Sequence, residues 1–544
     1  MVPELTQANS KRLNIGHYCT SFQVDRGLGS KVAVRFLDPQ LQAAELTYME
    51  LDTKSNQVAN LLRTCEFNIG DTAFIYLPKC LEFYEIFLGI LKSGLIAGTL
   101  FSNFGSEALF DRLSDSKARV VFTKKKMAAK LMRVIDQLPD LKMIVLLDGG
   151  ESLEGCQVDY QSLIQKMSID FSPQTFAHDP AILQYTSGST GKPKGVLHVH
   201  NALASILSSF EEVHQPLNED TYWCTADPAW VTGISYGIIA PLARGLTQIQ
   251  YGGVFDPLTW FSIIERENID LLYTAPTVLR MMMQYEDETY SGLDLSRLKR
   301  IYSVGEPLNP EIYRWGVRVL KHEIYDTWFQ TETGAIQIAN RPPLKIKPGS
   351  MGVPLSQTQA AILDENYQNL PPNTIGKLTL KSGWDSMLVG YLNQPEIYQE
   401  KFKRGYYLSG DLASMDEDGY FWFKGRDDDV INTSGHLVSP FEVESCLLEM
   451  DEIADVGVIG APDPLLWEKV VTYVKLKPEF TLTSALALKI KIYVSNRVSP
   501  LATPAEIIAV DKIPKNRSGK VMRRYLRSIY NGTDPGDLST MEEE

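Results

Sequence analysis

The sequence lacks the marks of several protein classes. No stretch is both long and apolar enough to span a bilayer, since the most apolar run, Ile86 to Phe101, is interrupted by Lys92 and by glycines. The opening MVPELTQANSKR has no apolar core of the kind a signal peptide needs. Six cysteines (Cys19, Cys65, Cys80, Cys156, Cys224, Cys446) are scattered without CxxC spacing, which predicts reduced thiols rather than a disulfide framework or a metal site. There is no basic excess: 53 Lys plus Arg stand against 67 Asp plus Glu, a formal net charge of −14, which argues against a nucleic-acid binder. Tandem repeats and low-complexity tracts are missing too. Together these absences predict a cytoplasmic location, with no nucleic acid or membrane as partner.

What is present is 544 residues with 44% hydrophobic and 22% charged, too long for one core and globular in profile. From Leu46 onward, helical spacing alternates with short β-branched runs. LTYMELDTKSNQVANLLRTC reads as a helix, DTAFIYLP as a strand, FYEIFLGILKSG as a helix closing on Gly94, and ARVVFT and KMIVLLDG as strands. Such alternation predicts an α/β fold with mostly parallel sheets. DENYQNLPPNTIG, Asp364 to Gly376, reads as a surface loop between strands. The predicted domain boundary falls in GRDDDVINTSG, with a large multi-subdomain unit over 1–428, a small α/β domain over 429–531, and a flexible tail over 532–544.

The most informative segment is LQYTSGSTGKPKG, Leu183 to Gly195. An apolar strand leads into Thr186, Ser187, Gly188, Ser189, Thr190 and Gly191, followed by Lys192 and Lys194. Small residues let backbone N–H groups turn towards a ligand, hydroxyls add donors, and lysines add charge, which suits a polyphosphate. It is not a Walker A loop, because Pro193 follows Lys192 where Ser or Thr is required. A second local signal is the run of seven cations from Lys512 to Arg527 (Lys512, Lys515, Arg517, Lys520, Arg523, Arg524, Arg527), with no acid after Asp511.

YTSGSTGKPKG resembles the signature loop of the adenylate-forming superfamily of acyl-CoA synthetases, peptide-synthetase adenylation domains and luciferases. Further matches follow in order: SVGEPLNPE, YDTWFQTETG, YYLSGD, GRDDDVINTSGH and PKNRSGKVMRR. TADPAWVTGISYG (Thr225 to Gly237) and DTWFQTETG most resemble the branch containing acetyl-CoA synthetases. The resemblance covers about Leu46 to Leu526. It implies an acid–thiol ligase that uses ATP, Mg²⁺ and coenzyme A, with a small mobile C-terminal domain.

The resemblance also implies site roles. Thr186, Ser187, Gly188, Ser189, Thr190, Gly191 and Lys194 cradle the β- and γ-phosphates. Thr331 contacts the α-phosphate and Glu332 ligates Mg²⁺, a hard cation that wants oxygen. Gly305, Glu306, Pro307, Asp326, Thr327 and Trp328 belong to the nucleotide site, with the first three against adenine, while Asp411, closing the β-region YYLSGD, and Arg426 take the ribose. Lys520 supplies positive charge to the α-phosphate during adenylation, Ser518 and Gly519 let its loop reach inside, and the cations near it attract coenzyme A. Asp428 is the hinge, and Ser434, Gly435 and His436 shape the pantetheine tunnel. Trp230, Val231, Thr232, Val304 and Phe329 line the acyl pocket. The family pattern has Trp at position 329 for acetate and Gly for medium chains, so Phe329 predicts acetate to propionate. Lys520 is also a candidate target of a protein acetyltransferase and deacetylase. One departure stands out: after Ser-Gly-His the pattern has Arg, and here there is Leu437. The rival readings are a medium-chain or aryl acyl-CoA synthetase and, from another class, a silent nucleotide-sensing module.

Overall fold

A computed structural model describes residues 12–65, 67–149, 155–187, 193–290, 292–433, 436–516, 520–535, 538 and 541. The local rules that predict the elements also set their ends. Thr47 caps the helix Tyr48–Thr64 in a reciprocal box with Glu50. The apolar helix Leu81–Ser93 stops where Gly94 turns left-handed at φ 89°.

Among the described residues, the large part of the chain holds three sheets. In a nine-stranded sheet, Ile324–Trp328, Arg300–Ser303, Leu271–Thr274, Thr221–Cys224, Thr247–Tyr251 and Val32–Leu37 lie side by side and parallel. An eight-stranded sheet is parallel through Ile96–Leu100, Thr72–Tyr76, Val120–Thr123 and Met143–Leu146. At one side of it, Pro180–Ser187 pairs antiparallel with Pro193–Val199. The third sheet is antiparallel and includes Tyr406–Met415 and Phe421–Arg426. Helix Leu81–Ser93 is buried along nearly its whole length because helix Tyr48–Thr64 covers one side of it, which is why it reads as apolar all round.

From Ile431 the chain builds a separate sheet in the order His436–Val438, Ile431–Thr433, Trp467–Leu476, Ile453–Asp463, with Glu506–Ala509 added parallel to Trp467–Leu476. Helices Pro440–Leu447 and Ser484–Arg497 pack on it around Val443, Leu447, Ile490 and Val494. The mixed α/β architecture agrees with the reading from sequence. Among the described residues no helix is long and apolar enough to cross a membrane. All six cysteines are free.

In open parallel sheets, ligands bind beyond the carboxyl ends of the strands. Three predicted site segments start at such ends on one sheet. Val304–Gly305–Glu306 follows Arg300–Ser303, Phe329 to Glu332 follows Ile324–Trp328, and the stretch from Thr225 to Thr232 follows Thr221–Cys224. The fold therefore collects them at one rim.

Candidate active site

Directly after Ile324–Trp328 at this rim is a short 3-10 turn, Thr331–Thr333, capped by Gln330 and closed by Gly334 at φ 68°. Its peptide groups are tied down from several sides. His198 Nε2 lies 2.8 Å from the Thr331 carbonyl. Trp384 and Ser386 both donate to the Thr333 carbonyl, and Ser235 donates to that of Gly334 at 2.8 Å. Burial lowers the affinity of His198 for a proton, so it acts here as a neutral ring. QTETG is thus a capped turn whose rigidity aims two side chains, Thr331 and Glu332.

Glu332 Oε1 accepts a 2.9 Å hydrogen bond from the Tyr391 hydroxyl, while the Glu332 carbonyl takes the N–H of Leu388. Tyr391 sits on Gly390–Tyr391, paired with Val196 and Leu197 of the strand that also carries Lys194. Burial and then the Glu332 charge raise the tyrosine's pKa, so it stays a donor. Oε2 of Glu332 has no partner among the described residues. One half-free carboxylate suits Mg²⁺, which binds through one or two carboxylates plus substrate phosphates. No cluster of three or more His, Cys, Asp or Glu among the described residues is placed to hold a metal by itself.

Asp411 is the second acid of the site. It does not close its strand as the sequence suggested; it lies inside Tyr406–Met415, in direct register with Arg426. The reason is that the pattern after Ser409-Gly410-Asp411 continues apolar, and the strand runs on through a bulge at Leu412/Ala413. Asp411 is 4% exposed and accepts from Trp328 Nε1 and Gln330 Nε2, each at 3.0 Å, and from Arg426 at 3.3 Å. Burial raises its pKa, against the pull of Arg426 and Lys520. Arg426 keeps its charge despite burial because Asp411, Asp428 and Glu332 surround it.

Lys520 reaches this pair. Its backbone is held both ways by Asn516: the Lys520 N–H donates to Asn516 Oδ1 at 2.9 Å, and the Asn516 N–H donates to the Lys520 carbonyl at 2.9 Å. Burial, then Arg426, lower its pKa, and Asp411 and Asp429 work the other way. Lys401, at the end of helix Pro395–Glu400, interacts electrostatically with Glu332, Arg426, Lys194 and Asp411. Lys194, Lys401, Arg426 and Lys520 thus gather with Glu332 and Asp411, and Asp428 and Asp429 lie in the same electrostatic neighbourhood.

The remaining predicted residues fall as follows. Thr186 pairs with Lys194, and Ser187 with Pro193, across the two strands that flank the signature loop. Gly188, Ser189, Thr190 and Gly191 lie outside the described residues, as do Ser434 and Gly435 and the Ser518–Gly519 pair. Gly305 has φ 96°, a conformation that favours glycine. The Glu306 carboxylate accepts from the Thr277 N–H at 2.6 Å in the first turn of helix Pro276–Met282 and lies 3.8 Å from Arg280. Asp326 is buried, and burial pushes its pKa to about 7; Ser303 donates to it at 2.6 Å. Thr327 bonds to the Ser303 carbonyl and to Tyr273.

Val304 belongs to the main core cluster, and Phe329 packs on the same cluster. Trp230 stands edge-on to Phe101 at 4.8 Å, in the neighbouring cluster, just before the short helix Val231–Ile234 that starts with Val231 and Thr232. Tyr236, not singled out by the sequence reading, meets Phe329 edge-to-face at 5.4 Å. Its hydroxyl accepts from the Ile336 N–H and pairs with Ser209, each at 2.7 Å, so the ring is immobile. Tyr391, Lys401 and Tyr236 were all missed. Only Tyr236 had a signal, its place in TADPAWVTGISYG.

The seven-cation tail corrects another expectation. Arg523 pairs with Glu444 and Arg527 with Asp429, while Lys515 pairs with Asp455 at 2.6 Å. Three of the seven charges therefore stabilise the small domain itself and are not available to attract coenzyme A.

A lysine carried on a separate C-terminal sheet domain and brought against an Asp–Arg pair and a lone carboxylate defines an adenylate-forming enzyme. Comparison with known proteins agrees. The family model described as AMP-binding enzyme matches residues 23–392, and that of the AMP-binding enzyme C-terminal domain matches residues 442–520. Acetyl-coenzyme A synthetase of Bacillus subtilis (strain 168) is 43% identical over 536 residues, covering 98% of this chain and 93% of that protein. Acetyl-coenzyme A synthetase of Pyrobaculum arsenaticum is 36% identical, covering 98% and 85%. Among solved structures, the Brucella canis acyl-CoA synthetase superposes with a TM-score of 0.74 at 31% identity, covering 97% of this chain and 96% of that one. The anthranilate CoA ligase AuaEII in complex with anthranoyl-AMP gives 0.86 at 26% identity, covering 96% and 99%. The chain belongs to the AMP-binding enzyme family, as an AMP-forming acyl-CoA synthetase, an acid–thiol ligase. ATP, Mg²⁺ and coenzyme A are the cosubstrates of that family.

Proposed function

We propose that this enzyme activates acetate, or an acid as small as propionate, through an acyl-adenylate and then transfers the acyl group to coenzyme A. A carboxylate repels nucleophiles; attack of its oxygen on the ATP α-phosphorus makes a mixed anhydride and releases pyrophosphate, which divides one hard step into two easier ones. In this reading Lys194 and the signature loop hold the β- and γ-phosphates, Thr331 and Lys520 the α-phosphate, and Asp411 with Arg426 the ribose. Glu332 is the residue that would hold Mg²⁺, which offsets phosphate charge when bound. Val231, Thr232, Val304 and Phe329 wall the acid, and Asp428 is the hinge. The observation that carries the reading is the convergence of Lys194, Lys401, Arg426 and Lys520 on Glu332 and Asp411. Acid-dependent exchange of pyrophosphate into ATP tests it, and a protein that binds nucleotide without exchange would be a sensor instead.

Small size of the acid is supported by Phe329, whose far side is closed by the Tyr236 ring. Phe329→Gly opens room for a few methylenes before Tyr236 is reached. Each buried methylene contributes about 0.8 kcal/mol, roughly fourfold in kcat/KM, so preference should move towards butyrate and hexanoate while acetate loses its fit. Phe329→Trp should narrow the enzyme to acetate. An unchanged ranking of C2 to C8 acids in both variants would remove Phe329 from the pocket and the short-chain assignment with it.

The reaction we propose is cytoplasmic. Acetylation of Lys520 would delete the charge that the first step needs, which is the physical basis for an acetyltransferase and deacetylase as partners. In the present arrangement Lys520 is half-buried, so a modifying enzyme would need the small domain turned away.

A further inference from the structure

The tip of the hairpin between Ile453–Asp463 and Trp467–Leu476 is unusual for a soluble domain. Leu465 is 88% exposed and Trp467 is 67% exposed, with Leu466 between them. Asp463 Oδ1 accepts the N–H groups of both Leu465 and Leu466 at 2.9 Å, an arrangement that fixes the turn. Trp467 itself has φ +68°, a left-handed conformation that is strained for a bulky side chain and natural for glycine. A tryptophan that is exposed, strained and without a ring or cation contact among the described residues contributes nothing evident to folding. Such strain persists where function holds it.

The register says what lies beside it. Thr433 pairs with His436 on one side and with Trp467 on the other, so His436, Thr433 and Trp467 form one row across three strands. Cross-strand partners share a face. A histidine and a tryptophan therefore occupy the register positions on either side of a short threonine, two strand spacings apart, about 10 Å. Thr433 is buried and its hydroxyl is turned to the Glu468 carbonyl, so the floor of the row is closed. Leu437, next to His436, is 47% exposed and takes the place of the cation that the family pattern puts there.

We infer that Trp467, with His436, is a stacking platform for the adenine ring of coenzyme A when the small domain presents this face to the active site. The inference rests on the proposed role of residues 434–436 in receiving coenzyme A. Stacking of a base on an aromatic side chain is tolerant of partner and needs only an accessible π-face, which this row supplies.

The test compares coenzyme A with pantetheine, a thiol that lacks the nucleotide, as acyl acceptors for the full chain. Trp467→Gly should raise KM for coenzyme A by about tenfold, the scale of losing one base–aromatic stack, while KM for pantetheine and the rate of ATP–pyrophosphate exchange stay as in the parent protein. Because glycine relieves the left-handed strain, the same variant should melt at a higher temperature. Trp467→Phe should keep most of the coenzyme A affinity. If KM rises equally for both thiols, the tip docks on the large domain and the inference is wrong. It is equally wrong if coenzyme A binding is unchanged while the melting temperature rises. Absence of pyrophosphate exchange in the parent protein would sink the adenylation reading instead, a separate and distinguishable failure.

Discussion

Lys520→Ala is expected to lower acyl-adenylate formation on the order of 10²-fold or more, while preformed acyl-adenylate still reacts with coenzyme A. The first transition state gathers negative charge at the α-phosphate, and a preorganised cation there stabilises it without reorganising at the moment of reaction. Lys520 meets that description. It approaches Asp411 and Arg426, and its main chain is clamped on both sides by Asn516. The second half-reaction expels AMP and does not build charge in the same place, so it should be spared. Equal loss of both halves would point to a folding defect and sink the role. The pH profile adds a second reading. A cation with a lowered pKa loses its proton sooner as pH rises, so kcat/KM for ATP should fall at a pH below that of an ordinary lysine. The thioester half should lack that fall.

How much of this was legible depends on the sequence distance of the partners. Helix Tyr48–Thr64 and strand Thr72–Tyr76 were readable because their patterns and caps are local. Lys194, Glu332, Asp411, Arg426 and Lys520 each sit in a short motif, and in the proposed reaction the chemistry of phosphate and ribose would set their residue types. Tyr391 is another matter: it meets Glu332 across 59 positions, and nothing in GYLNQPEIYQEKF announces a carboxylate partner. Lys401, at the end of helix Pro395–Glu400, carries no motif in the sequence, and only the fold brings it into electrostatic reach of Lys194 and Arg426. The tail misled for the converse reason. Its cations are contiguous in sequence, but the acids that neutralise them, Glu444, Asp455 and Asp429, come from elsewhere in the small domain. Charge runs show what a segment carries, not what the fold sets against it.

The same contacts say where the small domain should pivot. On the large-domain side, the Asp427 N–H donates to the Gly410 carbonyl at 2.9 Å. On the other side, Arg527 holds Asp429 through both its carboxylate, at 2.9 Å, and its carbonyl, at 3.1 Å. Asp428 lies between these anchors with its side chain 3.4 Å from Arg426, and the N–H groups of Asp429 and Val430 reach back across it to the Arg426 carbonyl at 3.0 and 2.9 Å. The arrangement that brings Lys520 to Asp411 is fastened by contacts from helix Pro440–Leu447 and its C-terminal end. Asn309 Nδ2 donates to Ser445 Oγ at 3.3 Å, Arg314 lies 3.5 Å from Glu449, and Lys424 pairs with Glu442. Rotation about Asp428 has to break them.

A covalent link at one of these contacts should therefore separate the two half-reactions. In Asn309→Cys/Ser445→Cys the side chains to be joined already touch, and the native Cys19, Cys80, Cys224 and Cys446 are buried, which limits competing oxidation. Oxidation should leave acid-dependent ATP–pyrophosphate exchange near the level of the reduced variant, because the adenylating arrangement is the one being fixed. Thioester formation should drop on the order of 10²-fold, since the domain motion that gates it is blocked, and dithiothreitol should restore it. Each single-cysteine variant, oxidised in parallel, separates the link from the substitutions. If the linked protein makes thioester as fast as the reduced one, no rotation about Asp428 is needed. One arrangement would then serve both halves, and the hinge assignment would have to be given up.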